Sequence, residues 1–156
     1  MRDTPWVRRE EIPQGFTSRV SAYRATTAQT IANDAATKVQ FNAENYDGLG
    51  EFDPTTNYRF TATASGYYLV TATVLWDAAG VVAAKRHALY VYQDGAEVAA
   101  EHRHTGLVDY VSSSVTAILY VAAGSYLEIY AYQNFGGNAD IMILSRRSRV
   151  QIHRLS

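Results

Sequence analysis

Cysteine is absent from the 156 residues, which excludes a disulfide framework, a thiolate metal site and a cysteine nucleophile. Stability therefore has to come from a packed core or from assembly. Proline is scarce, and none follows Pro54. No segment approaches the roughly 18 consecutive apolar residues that cross a membrane. The opening Met1-Arg2-Asp3-Thr4-Pro5-Trp6 lacks the apolar run of a secretory signal, and Met1 is retained, so neither a membrane partner nor export processing is expected. Charge is modest as well: 19% of residues are charged and the net charge is −1, which gives no diffuse basic surface for nucleic acid. Only Lys38 and Lys85 are lysines; the other twelve basic residues are arginines. Gly-x-Ser-x-Gly does not occur, and no glycine-rich loop precedes a helix, so hydrolase and nucleotide-binding signatures are missing.

What the chain has is β pattern. Gly66 to Trp76 is rich in β-branched and aromatic residues and free of charge until Asp77; it reads as the longest central strand, about 35 Å if fully extended. Other strands are predicted at 20–25, 38–42, 58–62, 88–92, 97–104, 114–121, 126–132, 141–144 and 149–155. Turn formers separate them at regular intervals: Asp53-Pro54, Ser65-Gly66, Asp94-Gly95, Ala123-Gly124 and Gly136-Gly137. Asp94-Gly95 between two strands is a strong hairpin signal. Short strands in regular succession predict an all-β sandwich or barrel in residues 20–156. Residues 1–19, with two prolines and no period, read as an extended arm anchored by Trp6, Val7, Ile12 and Phe16. In 126–132, Leu127, Ile129 and Ala131 share one face and Tyr126, Tyr130 and Tyr132 the other.

Asp53-Pro54-Thr55-Thr56, Phe60 and Gly66-x-Tyr68-x-Val70 resemble a segment shared by the globular heads of complement component one q. Gly66 to Trp76 is equally similar to the corresponding strand of tumour necrosis factor ligands, and Ser148 to Ile152 resembles the last strand of both families. The resemblance runs from about Val20 to the C-terminus. It implies a ten-stranded antiparallel jelly-roll sandwich, characteristically a homotrimer, of a type also found in bacterial and bacteriophage proteins. Twelve tyrosines agree with an interface, because a tyrosine ring buries area while its hydroxyl finds a partner. Tyr68, Tyr126, Tyr130 and Tyr132 are the expected trimer contacts.

Three further features carry candidate chemistry. His102-Arg103-His104 with Asp109 makes His-x-His-x4-Asp, close to the first metal motif of the cupins, and would suit non-haem iron or another divalent metal. Asn45, Asp47, Glu51 and Asp53 cluster oxygen ligands that could hold calcium. Arg146, Arg147, Arg149 and Arg154 form the one basic cluster, best matched to acidic residues of a neighbouring subunit. The reading adopted is a non-enzymatic trimeric structural or attachment protein of a virion, such as a bacteriophage capsid decoration, fibre or tail component. It needs no cofactor, and its arm contacts other assembly proteins. The loops 45–57, 77–87, 105–112 and 133–147 face outward, and a host-surface glycan is a possible ligand. The alternatives are a cytoplasmic or secreted bacterial lectin-like module, with Tyr110 and Phe135 exposed in loops, and a cupin-like metal enzyme.

Overall fold

Gly66–Trp76 is one unbroken strand at the centre of the first of two sheets. The structure, a computed structural model, describes residues 17–156; the arm anchors Trp6, Val7, Ile12 and Phe16 lie outside the described residues. The strands in order are β1 (Arg19–Tyr23), β2 (Gln29–Ile31), β3 (Thr37–Lys38), β4 (Ala43–Asp47), β5 (Phe52–Asp53), β6 (Arg59–Thr61), β7 (Gly66–Trp76), β8 (Arg86–Gln93), β9 (Ala96–His104), β10 (Val111–Val121), β11 (Tyr126–Gln133), β12 (Ala139–Ile141) and β13 (Arg149–Arg154). A single turn of 3-10 helix, Ala78–Gly80, is capped by the Asp77 carboxylate.

In the first sheet β7 pairs with β10 along its whole length. Its other edge is shared between β13 and, at Trp76 alone, β12. Beyond β13 come β1 and β4, and beyond β12 comes β2. The second sheet runs β5-β6-β11-β8-β9, with β3 also on β11. All these strand pairs are antiparallel, and β10 packs across β8 and β9 to close one side of the sandwich. This is the jelly-roll sandwich that the family resemblance implies.

Among the described residues backbone pairing extends also into stretches without hydrophobic alternation, giving thirteen strands in all. β4 runs into the presumed loop 45–57, β5 forms inside it, and β2 forms within a Thr/Ala-rich stretch. β4 is a polar edge strand whose pairing with β1 needs no apolar face. Conversely, Val39 and Phe41 within the predicted strand 38–42 are buried, although only Thr37–Lys38 joins the ladder there. The Asp94-Gly95 hairpin forms with positive φ at both central residues, 51° and 83°, the mirror-image turn that matches strand twist.

The core follows from the period-two alternation of β7. Tyr68, Val70, Ala72, Val74 and Trp76 point inward, where they join Leu89 and Val91 of β8, Leu127, Ile129 and Ala131 of β11, and Val150 and Ile152 of β13. Tyr68, expected at a subunit contact, is wholly buried within the chain. Its hydroxyl donates to the Ala64 carbonyl (2.6 Å) and its ring meets Phe60 edge-on. An inward position on a central strand has no access to a second subunit, so Tyr68 is a core residue.

The two ends of the sandwich differ. At the start of β7, an added Cβ on Gly66 would lie 2.0 Å from the Ser156 carbonyl oxygen, so only glycine fits against the C-terminus. The Arg154 amide donates to the Ser18 carbonyl nearby (3.0 Å). Both ends of the described chain therefore meet here, together with the turn around Gly48 and Glu51. Loops 77–85, 105–110, 134–138 and 142–148 gather at the other end, the length of an eleven-residue strand away. Of the segments expected as outward loops, the turn around Gly48 and Glu51 thus lies at the terminal end and the other three at the distal end.

Candidate interaction surfaces

At one end of the β7–β10 pair the outward positions are apolar where a solvated sheet face would be polar. Tyr67 lies opposite Tyr120, and Leu69 opposite Ile118. Tyr67, Tyr120 and Ile118 are 54%, 57% and 62% exposed, and the two tyrosine rings meet edge-to-face at 5.5 Å. Next to them His153 of β13 lies opposite Leu69, and its Nε2 is 2.8 Å from the Tyr46 hydroxyl of β4. Leu69, Thr71, Gln151 and His153 line a depression of about 220 Å³. Four strands thus combine into one open face with an apolar end at Tyr67–Tyr120 and a polar middle of Thr71, Gln151 and Thr116.

The outer face of the second sheet is aromatic too, but closed on itself. Tyr126, Tyr130 and Tyr132 alternate outward from β11 as the sequence predicts. The Arg59 guanidinium lies 4.2 Å over the Tyr126 ring, and that of Arg86 4.8 Å over Tyr132. Tyr130 packs against Tyr92 with ring centroids 4.4 Å apart. Arg86 also donates to the Tyr132 hydroxyl (2.9 Å), which in turn donates to Asp34. The Lys38–Glu128 ion pair flanks Tyr130; burial, then the Glu128 charge, pushes the Tyr130 phenol up. Cation–π contacts and neighbouring rings occupy most of this surface within the chain.

The acidic turn is organised around its own backbone. Glu51 is buried: its carboxylate accepts from the Ser18 hydroxyl (2.5 Å) and from the Thr63 amide and hydroxyl (2.9 and 2.6 Å). Asp47 accepts from the Phe52 amide (2.8 Å). Asp53 accepts from the amides of Thr55, Thr56 and Asn57, and the Thr56 and Thr55 donors hold its carboxyl well below the usual carboxylate range. Asn45 turns away to donate to the Ser21 hydroxyl (3.1 Å). The four oxygen ligands of the calcium reading therefore face different partners.

His102 and His104 sit on β9, an edge strand, and both are exposed. His102 stands edge-on to Tyr90 with centroids 5.4 Å apart, and the Asp109 carboxylate accepts from the adjacent Tyr110 amide (2.7 Å). Among the described residues, no group of three or more His, Asp or Glu side chains is arranged to hold a metal ion. Of the loop aromatics, Tyr110 is exposed as expected. Phe135 is buried, its ring edge-on to Trp76 at 5.6 Å; the glycine-rich context hid a residue that folds back into the core. Tyr67, Ile118 and Tyr120 were not singled out by sequence, although their one-residue offset from Tyr68 and Leu119 on long alternating strands was the available signal.

Two antiparallel sheets in this order, with the longest strand central and the last strand beside it, define a jelly roll of the complement and tumour necrosis factor type. No family model and no curated protein sequence matches the chain. Solved structures do. The Eiger TNF of S. frugiperda superposes with a TM-score of 0.68 at 12% identity, over 90% of this chain and 93% of that one. The globular domain of zebrafish complement 1qA gives 0.64 at 15%, over 90% and 98%. PRD1 vertex protein P5 gives 0.67 at 15%, over 91% and 99%. The fold is shared across almost the full length of each, while sequence identity is low enough that the likeness concerns fold alone.

Proposed function

We propose that this chain is the subunit of a non-enzymatic homotrimer, a structural or attachment component of a virion of the bacteriophage kind, whose residues 1–19 attach it to other assembly proteins. The observation that carries the trimer is the open face of β7 and β10. Tyr67, Leu69, Ile118 and Tyr120 form contiguous apolar surface of a kind that single soluble chains seldom leave uncovered, on a scaffold whose family resemblance implies threefold assembly. The likeness to the PRD1 vertex protein and the arm's apolar anchors support the virion setting.

Sedimentation velocity tests the assembly. Wild-type chain is expected to run as a trimer, and Ile118→Asp as a monomer with unchanged circular dichroism, because a carboxylate on that face would have to be desolvated at the contact. A wild-type monomer, or a trimeric Ile118→Asp, overturns the proposed face. Tyr130→Ala is expected to stay trimeric; if it dissociates instead, the contact lies on the outer face of the second sheet, where Tyr126, Tyr130 and Tyr132 stand. Deleting residues 1–16 should leave a folded trimer that no longer enters its particle, and incorporation at wild-type levels would refute the arm's role.

A further inference from the structure

We propose that the distal end of the sandwich docks on an anionic phospholipid membrane, entered by the tip of the β9–β10 loop. Leu107, Val108 and Tyr110 are 78%, 64% and 54% exposed, the largest concentration of bare apolar side chains outside the lateral face. The loop is braced at its base. Thr105 is buried, its hydroxyl donates to the Val82 carbonyl (2.5 Å), its amide donates to the Lys85 carbonyl (2.8 Å), and its own carbonyl accepts from the Ala84 amide (2.9 Å). The 81–85 loop, with Val82 exposed, is thereby strapped beside Leu107 and Val108 into one double tip.

The surroundings select the partner. Lys85 stands exposed at the base of the tip, while the neighbouring Arg86 turns onto Tyr132, with His104 opposite it in the β8–β9 register. Arg103 is paired with Glu101 on its own strand. The one acid of the tip, Asp109, faces the Tyr110 amide. A convex apolar tip with an exposed lysine at its base matches a bilayer in order of depth: branched side chains reach the acyl region, tyrosine sits at the interface, and the lysine meets lipid phosphates. A protein target would need a shaped recess for this tip; a fluid bilayer needs none. The tip also lies at the end opposite both termini of the described chain, so anchoring through the N-terminus leaves it facing outward. The expectation of no membrane partner rested on the lack of a spanning segment, a criterion that does not register a peripheral loop. The tip belongs to one chain, so the inference holds whether or not the lateral face pairs.

Flotation of the full chain with phosphatidylcholine vesicles, with and without phosphatidylglycerol, tests the proposal. Binding is expected to the phosphatidylglycerol vesicles and to fall with added salt. Leu107→Ser/Val108→Ser should weaken it by about tenfold or more, since the removed surface is what transfers into lipid, and Lys85→Ala should weaken it severalfold. All three positions are exposed, so an unchanged melting temperature confirms that the variants fold. No flotation with phosphatidylglycerol, equal flotation with phosphatidylcholine alone, or a double variant that floats like wild type would each overturn it.

Discussion

Replacing Trp76 with alanine is expected to cost about 3–5 kcal/mol, the range for truncating a large buried aromatic, and to lower the denaturation midpoint sharply in a urea titration followed by circular dichroism. Trp76 is the last inward residue of β7 and has no exposed surface. Three elements converge on it: Phe135 packs edge-on against its ring, Ile141 of β12 pairs with its backbone, and Ser113 of β10 accepts its indole N–H (2.8 Å). The deletion leaves a cavity bounded by both sheets, together with a serine hydroxyl that has lost its donor. Because whole domains are stable by only about 5–15 kcal/mol, the loss is a large fraction of the total. Trp76→Phe keeps most of the volume but not the donor and should cost less than half as much. An alanine variant within 1 kcal/mol or so of wild type would show that the distal end of the core is loosely packed.

The second large effect is acid lability through His87. This residue is buried on β8 and its Nδ1 is 2.6 Å from the Ser113 hydroxyl. The indole N–H of Trp76 can only donate, so it occupies one lone pair of Ser113, and the serine hydroxyl meets Nδ1 with its proton or its second lone pair. A chain Trp76–Ser113–His87 thus ties the first sheet to the second. Charged groups on β9 oppose protonation further: burial lowers the His87 pKa from the ordinary 6.5, and Arg103 and His104 lower it again. The residues meeting it from β7, β10 and the loop after β11, namely Trp76, Ser113 and Phe135, carry no charge.

The sign follows from linkage. Above the ordinary value both folded and unfolded chains hold this histidine neutral, and stability is at its full level. As pH falls below about 6.5 the unfolded chain takes up a proton that the folded chain refuses, so stability declines until the lowered native pKa is reached, with a slope of at most about 1.4 kcal/mol per pH unit. His87→Gln keeps an acceptor for the Ser113 hydroxyl and removes the titration. Chemical denaturation across this window should show a shallower pH dependence for the glutamine variant. Equal slopes for the two proteins would show that the acid sensitivity does not arise at His87.

These effects bear on function because the same end of the core supports the distal loops. β10 begins at Val111, directly after the exposed tip, and Ser113 is its first buried position. Loss of the His87 link would loosen the start of β10 and with it the bracing of the tip. The lateral face is built differently: it rests on the middle and opposite end of β7 and β10, where the ladder is continuous. A variant that softens the distal end should therefore affect surface binding before it affects subunit association.

How much was legible in advance varied with the range of the interactions concerned. The span of β7, the Asp94-Gly95 hairpin and the separation of Leu127, Ile129 and Ala131 from three tyrosines were all readable, because alternation and turn chemistry are local; the two-sheet architecture came from the family resemblance. Period two sorts a strand into two faces without saying which one is covered. On β7 both faces carry large residues, Tyr68 and Val70 against Tyr67 and Leu69, so only the pairing with β10 and β13 and the second sheet beneath settled that Tyr68 is core and Tyr67 is surface. Phe135 looked like a loop aromatic until Trp76, fifty-nine residues earlier, covered it. The carboxylates of the 45–53 turn looked like ligands until their amide donors were in place. Sequence by itself determined what each strand is. The tertiary structure decided which of its faces is free to meet another molecule, since that depends on contacts between residues far apart in the chain.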